Sequence, residues 1–252
     1  MSFDVPAEAY GRFMGRYSEP LAIEFLQLLT LESGQQVLDV GCGPGQLTAR
    51  LVELVGARSV SAVDPSASFV EAARLRLPGV TIKQAVAEEL PFPDDTFDQV
   101  LAQLVVHFMP DPVRGLTEMA RVCRPGGMVA ASAWDFQGGR SPLWPFWRAV
   151  REVDPQANDE SGEPGARDGQ LVEIFKAAGL RDATQYELRI SVPMAGFDDW
   201  WQPLTLGVGP AGQYWQRLGE HGRNRIHERC RELLPDGPFR IDAAAWTAVG
   251  TA

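Results

Sequence analysis

Cysteine is scarce: Cys42, Cys123 and Cys230 are the only three in 252 residues, scattered and with no C-x-x-C pair. That excludes a disulfide framework and a cysteine-built zinc site, and no metal is expected; reduced, mostly buried thiols are the reading. No apolar run approaches the roughly 20 residues of a membrane span. The opening residues MSFDVPAEAYGRF lack the basic and apolar regions of a secretory leader, so a cytoplasmic location is the expectation. Basic charge is also short, with 23 Lys and Arg against 33 Asp and Glu and a net charge of -10. Such a field repels polyanions and points away from nucleic acid, toward a small-molecule partner. The late arginines Arg217, Arg223, Arg225, Arg229 and Arg231 are diluted by Glu220, Glu228 and Glu232 and read as one solvated helix over 213–234. Internal repeats and low-complexity segments are absent as well.

What is present is a globular composition, 45% apolar and 22% charged, in a chain of single-domain length. From residue 36 short β-branched runs alternate with helical patterns, the mark of βαβ units around a parallel sheet. Strands are predicted at 36–40, 59–64, 80–85, 97–104 and 128–134, with helices near 46–55, 67–76 and 112–122. The prolines and acids of 91–95 make the third crossover short and irregular. After Trp134 the pattern loosens, and the polar stretch 154–169 argues against regular core elements, so the region reads as an insertion or lid. A helix resumes at 169–178, stopped by Gly179, and strands follow at 183–192 and 239–249.

The sharpest feature is VLDVGCGPG at 37–45. An apolar strand ends in an acid and runs through Gly41, Gly43 and Gly45 into a helix. Glycines let the backbone turn tightly and approach a ligand with no Cβ in the way. A dinucleotide loop prefers G-x-G-x-x-G, whereas position 46 is Gln and the third glycine comes one residue early; a phosphate loop needs a Lys that Gln46-Leu47-Thr48 does not supply. The ligand is thus expected to carry no phosphate. The second strand ends in Asp64, 23 residues after Gly41, where an acid in such folds grips ribose hydroxyls; the alternative is that Asp64 caps the helix beginning near Ser66.

At this point the chain resembles the class I S-adenosylmethionine-dependent methyltransferases, particularly the ubiquinone and menaquinone biosynthesis branch, Methyltransferase type 11. The resemblance covers roughly 10–135 and rests on VLDVGCGPG, AVDPS (62–66), AEELPFPDDTFDQV (87–100), LVVHFMPDP (104–112) and EMARVCRPGGMVAAS (118–132). It implies a Rossmann-like doubly wound α/β fold: a mostly parallel seven-stranded sheet with an antiparallel last strand and a helical, aromatic lid insertion. It implies one methyltransferase domain over 1–252, with 1–35 as cofactor-covering helices, 36–135 as the cofactor-binding core, and 136–168 and 193–238 as lid or substrate-side segments. The implied cofactor is S-adenosyl-L-methionine. Gly41 and Gly43 would present backbone to its methionine part and Asp64 would hold the ribose. Ala87 and Glu88 would flank the adenine, and Gln103 would sit near the amino-acid moiety. Asp39, Cys42, Pro65 and Ser66 complete the set from the same motifs, and Tyr10 and Tyr17 of YGRFMGRYS look like the closing N-terminal segment. One departure is Val86, where many relatives carry Asp before the Ala-Glu pair; Val86 could end the third strand facing the core and leave Glu88 alone to read the adenine amino group.

Methyl transfer from a sulfonium is an in-line displacement that needs positioning more than acid–base machinery. Where a proton must leave, His107 at the carboxyl edge of the fourth strand is the candidate base, against the alternative that it packs or hydrogen-bonds the loop. His221 and His227, on the late helix, are not expected to do chemistry. The region after strand five is rich in aromatics (Trp134, Phe136, Trp144, Phe146, Trp147, Trp200, Trp201 and Trp215), which could line an apolar pocket or form a satellite core. The expected acceptor is an apolar or aromatic small molecule, with no nucleic acid, no membrane span and a homodimer allowed. Two other functions stay open on sequence: a cofactor-binding regulatory protein without turnover, and an NAD(P)-dependent oxidoreductase.

Overall fold

The structure is a computed structural model that describes residues 6–252; residues 1–5 of the expected N-terminal covering segment lie outside it. After a helical turn at Ala7–Tyr10 and a π-helical stretch at Gly11–Gly15 comes α1 (Arg16–Leu26). The βα units follow: β1 (Val37–Val40), α2 (Gln46–Val55), β2 (Val60–Asp64), α3 (Ala67–Arg76), β3 (Thr81–Gln84), β4 (Phe97–Gln103), α4 (Pro112–Val122) and β5 (Cys123–Trp134). Then come α5 (Trp144–Val153), α6 (Gln170–Ala177), β6 (Arg181–Met194), α7 (Phe197–Leu204), α8 (Gly209–Arg217), α9 (Glu220–Leu233) and β7 (Phe239–Thr251). The seven strands form one sheet in the order β3-β2-β1-β4-β5-β7-β6. Pairs among β1 to β5 are parallel, and β7 runs antiparallel to both its neighbours.

Central strands covered on both faces need apolar residues at every position, not alternation, and β1 is buried throughout. In β4 successive side chains serve opposite layers: Val100 and Ala102 pack with Leu116 and Met119 of α4, while Leu101 packs with Leu21 and Phe25 of α1. Local signals set the helix ends. Ser66 caps α3 by accepting from the Phe69 amide, and Asp111 caps α4 by accepting from Arg114 N at 3.0 Å, ahead of Pro112 in the first turn.

Three elements differ from the sequence reading. Regular β5 pairing does begin at Met128, but the strand starts at Cys123, with a register shift opposite Phe97–Gln99 that holds the residues between out of step. The region 136–168 is less irregular than expected: α5 lies inside it, with Phe146 and Trp147 buried. Pro145 in its first turn is a start signal that the polar stretch behind it obscures. The single helix over 213–234 is two, because Leu218 is extended and Gly219 begins α9. In α9 only Ile226 and Cys230, one turn apart, are buried, so most of its charge faces water, with Arg229 pairing to Glu152 of α5. Most of the late aromatics join the large core on the α1 side of the sheet, in one cluster with Leu21 and Phe25, and form no separate satellite: Trp201 stacks on Phe197 at 5.5 Å and meets Trp215 and His227 at 4.9 Å. The three cysteines are buried thiols, and no helix among the described residues is long and apolar enough to cross a membrane.

Candidate active site

From β1 the chain crosses over to β2 on one side, and β4 flanks β1 on the other. Their carboxyl ends therefore part at a topological switch point, where open α/β sheets leave a crevice. A cavity of about 420 Å³ opens there, within the range that holds a cofactor-sized molecule.

The glycine loop forms its floor. Gly41 has φ +72°, and a Cβ there would meet the Val105 methyl carbon at 2.4 Å, so both conformation and space demand glycine. The amides of Gly41 and Cys42 donate to Val63 O at 2.8 and 2.9 Å, Gly43 N donates to Asp64 Oδ2 at 2.8 Å, and Gly45 N donates to Cys42 O at 3.0 Å. Pro44 has no N–H. Every amide of residues 41–45 is thus engaged within the fold, whereas an anion-binding nest needs them free. The loop offers a Cβ-free surface, not a phosphate cradle.

Asp64, ending β2, is buried. Its Oδ1 accepts from Ser66 N and its Oδ2 from Gly43 N, both at 2.8 Å. Both alternatives of the sequence reading therefore have substance, with Ser66 as the helix cap proper. A carboxylate has about four acceptor positions, so two remain for a diol on the cavity side. Burial raises the Asp64 pKa, and the two amide bonds oppose that rise.

Gln103, ending β4, donates through Nε2 to Ser18 O at 2.7 Å, and its Oε1 is buried without a partner among the described residues. An orphaned buried acceptor is costly unless a donor reaches it, and an α-ammonium is a donor of the right kind. A donor set of engaged amides, a buried diol acceptor and one orphan carbonyl fits a sulfonium amino acid carried on a nucleoside, and fits a pyrophosphate poorly.

Of the residues expected from sequence, Tyr10, Gly41, Gly43, Asp64, Pro65 and Ser66 line this cavity, as do Ala87, Glu88 and Gln103. Tyr10 packs on Phe69 with ring centroids 5.0 Å apart, bringing the N-terminal segment against the glycine loop. Glu88 Oε1 accepts from Asp111 N at 3.2 Å, which fixes that side chain. Three expected residues stand elsewhere. Asp39 is buried behind the loop, accepting from Thr48 Oγ1 at 2.6 Å, and burial pushes its carboxyl up to about 7. Cys42 turns into the small core between β2 and α3, with Val70 and Ala73. Tyr17 is buried in the core beneath α1 and does not line the cavity. Val86 does not face the core: it is 46% exposed and lines the cavity.

His107 lies beside a second, smaller cavity of about 30 Å³, also lined by Trp134, Phe136 and Glu160. Tyr10, Leu104 and Phe108 border both cavities. Burial pushes the imidazole down to about 3 and holds it neutral, and its Nδ1 has no partner among the described residues. Glu160 is buried and accepts from Trp147 Nε1 at 2.7 Å. Sequence reasoning missed Phe69, Phe108, Met109 and Glu160. The first three sit inside motifs where only packing shows which way they face; Glu160 lies in the polar stretch that carries no periodic signal.

A family model described as a methyltransferase domain matches residues 38–131. The chain is 39% identical over 172 residues to the chloroplastic 2-methyl-6-phytyl-1,4-hydroquinone methyltransferase 2 of Oryza sativa subsp. japonica, a match covering 67% of this chain and 45% of that protein. The chain thus spans about half the length of that relative. It is 33% identical over 205 residues to the demethylmenaquinone methyltransferase of Lysinibacillus sphaericus, covering 72% of this chain and 87% of that one. Among solved structures it superposes with TM-score 0.60 and 17% identity on a Haemonchus contortus phosphoethanolamine N-methyltransferase in complex with S-adenosylhomocysteine, over 97% of this chain and 56% of that one.

Proposed function

This chain belongs to the class I S-adenosylmethionine-dependent methyltransferases, and from that membership we propose that it moves a methyl group from S-adenosylmethionine to an apolar, quinone-type or other aromatic small molecule. The observation that carries the reading is the cavity at the β1–β4 switch point, with its engaged loop amides and the orphaned Gln103 Oε1. The cofactor supplies an electrophilic methyl on a sulfonium, which the acceptor's electron pair takes as the methyl–sulfur bond breaks. Gly41 and Gly43 face the methionine part, Gln103 Oε1 accepts from its ammonium, and Asp64 holds the ribose beside Pro65 and Ser66. Ala87 and Glu88 flank the adenine, and Tyr10 closes the site. Tyr17, Asp39 and Cys42 support this arrangement from behind. His107 belongs to the acceptor side, where a neutral imidazole can hydrogen-bond but holds a proton weakly.

The domain reading that goes with this is a cofactor core over 36–135, covered by the N-terminal segment and by 136–168 and 193–238 on the acceptor side. The quinone-type acceptor follows from the names of the two sequence relatives and from an apolar lining at the second cavity. A cytoplasmic location, no nucleic-acid partner and homodimeric association complete the proposal; light scattering and a nucleic-acid filter assay test the last two. Calorimetric titration with S-adenosylmethionine, S-adenosylhomocysteine and NAD tests the whole. The first two are expected to bind and NAD not; NAD binding alone would make the loop a dinucleotide site and overturn the reading.

A further inference from the structure

The small cavity does not belong to the cofactor's donor set. Six segments converge on it: the N-terminal helical turns, the stretch after β4, the end of β5, Leu143 ahead of α5, Glu160, and Gly209-Pro210 opening α8. Its wall is apolar except at Tyr10 and at three buried side chains: Trp134 is 2% exposed, His107 3% and Glu160 4%. Among the described residues neither Trp134 Nε1 nor His107 Nδ1 has a hydrogen-bond partner. Two orphaned polar atoms and a buried carboxyl around one apolar space cost stability unless something polar completes them.

We propose that this cavity receives the polar head of the acceptor, an aromatic hydroxyl, and that Glu160 is the group that takes its hydrogen bond and then its proton. The inference rests on the methyltransferase reading and names the acceptor end of that site. About 30 Å³ holds a hydroxyl-sized group rather than a ring. The ring itself lies between the two cavities, where Tyr10, Leu104 and Phe108 border both and must part for its nucleophilic atom to meet the methyl in line. There the hydroxyl O–H bond breaks, its electron pair stays on the acceptor oxygen, and the proton passes to the Glu160 carboxylate. Trp134 Nε1 donates to the same oxygen, and His107 stays neutral as a further hydrogen-bonding wall.

The charges around Glu160 are consistent with that task. Asp159 and Glu163 flank it on its own turn, Arg151 of α5 holds Asp159 at 2.9 Å, and Trp147 of the same helix donates to Glu160. Burial, opposed by the Trp147 bond and helped by the two acids, pushes Glu160 up to about 7, where a proton acceptor is matched to neutral pH. Burial alone holds His107 near 3.

The test uses the full chain saturated with S-adenosylhomocysteine, titrated with a prenylated hydroquinone and with the same prenylated ring lacking its hydroxyls. Wild type is expected to prefer the hydroquinone by about 10- to 100-fold, the scale of a charge-assisted hydrogen bond. Glu160→Gln, which keeps the side chain's shape and an oxygen for Trp147, should bring that preference below about threefold. Trp134→Phe should reduce it several-fold, with S-adenosylhomocysteine affinity unchanged in both variants. In single turnover with S-adenosylmethionine, Glu160→Gln should slow methylation of the hydroquinone by about 100-fold or more. Equal binding of the two rings by wild type, or an unchanged preference or turnover in Glu160→Gln, overturns the assignment of Glu160 and leaves the cofactor reading standing. Failure of wild type to bind S-adenosylhomocysteine removes both.

Discussion

Replacing Gly41 by Ala isolates the demand that the glycine loop places on this fold. The residue has φ +72°, which costs an L side chain on the order of 1 kcal/mol. The new Cβ would also lie 2.4 and 2.7 Å from the two methyl carbons of Val105 and 3.1 Å from its Cβ, an overlap worth about 1–3 kcal/mol. The sum is about 2–4 kcal/mol, which in a domain of this size lowers Tm by about 5–15 °C. Val105→Ala removes the two closest contacts and keeps the 3.1 Å one, so in a double-mutant cycle it should return about 1–2 kcal/mol of the Gly41→Ala loss while leaving the backbone term. Chemical denaturation of wild type, both single variants and the double variant reads this directly. If Gly41→Ala costs under about 0.5 kcal/mol, or the two substitutions simply add, the steric account of the loop is wrong.

Asp64→Ala strands the Gly43 and Ser66 amides; calorimetry should show S-adenosylhomocysteine affinity down by about 10- to 100-fold, and denaturation a loss of about 1–3 kcal/mol. Unchanged affinity would take Asp64 out of the site. His107 titrates near 3 when folded and ordinarily at 6.5, so between those values the unfolded chain binds the extra proton and wild-type stability falls as pH falls. Relative to His107→Phe, wild type should lose about 1.4 kcal/mol per pH unit on acidification through that window, and parallel pH profiles of the two proteins would refute the buried neutral imidazole. Glu160 has the opposite sign: its folded value near 7 lies above the ordinary 4.5, so the native state holds the proton and stability is lost as pH rises from 4.5 to 7. Glu160→Gln should therefore gain on wild type across that window by about 1.4 kcal/mol per unit and keep a constant difference above it, as pH-dependent denaturation would show.

The cofactor side of this protein was legible because its signals are local. Three glycines in five residues, an acid closing each of the first two strands and apolar runs without alternation are demands a backbone makes within a few residues of itself. From them follow the parallel sheet and the loop at its edge, and Gly41 and Asp64 could be named before any coordinate. Other features needed long-range packing. Asp39 and Cys42 share the motif with Gly41, yet the direction each side chain takes off β1 and the loop sends them behind the site, to Thr48 and to the α3 core. Tyr10 and Tyr17 look equivalent in YGRFMGRYS, but only Tyr10 reaches the cavity, while Tyr17 is enclosed in the core that Tyr10 packs against. The smaller cavity was least legible of all. Glu160 sits in a polar stretch that in isolation reads as solvated loop, and only the convergence of six segments removes it from water and sets it beside Trp134 and His107. The sequence by itself determined the sheet and its glycine loop, which rest on conformational preference over short spans. The tertiary structure alone decided which polar groups lost their solvent, because desolvation depends on what the rest of the chain packs around them.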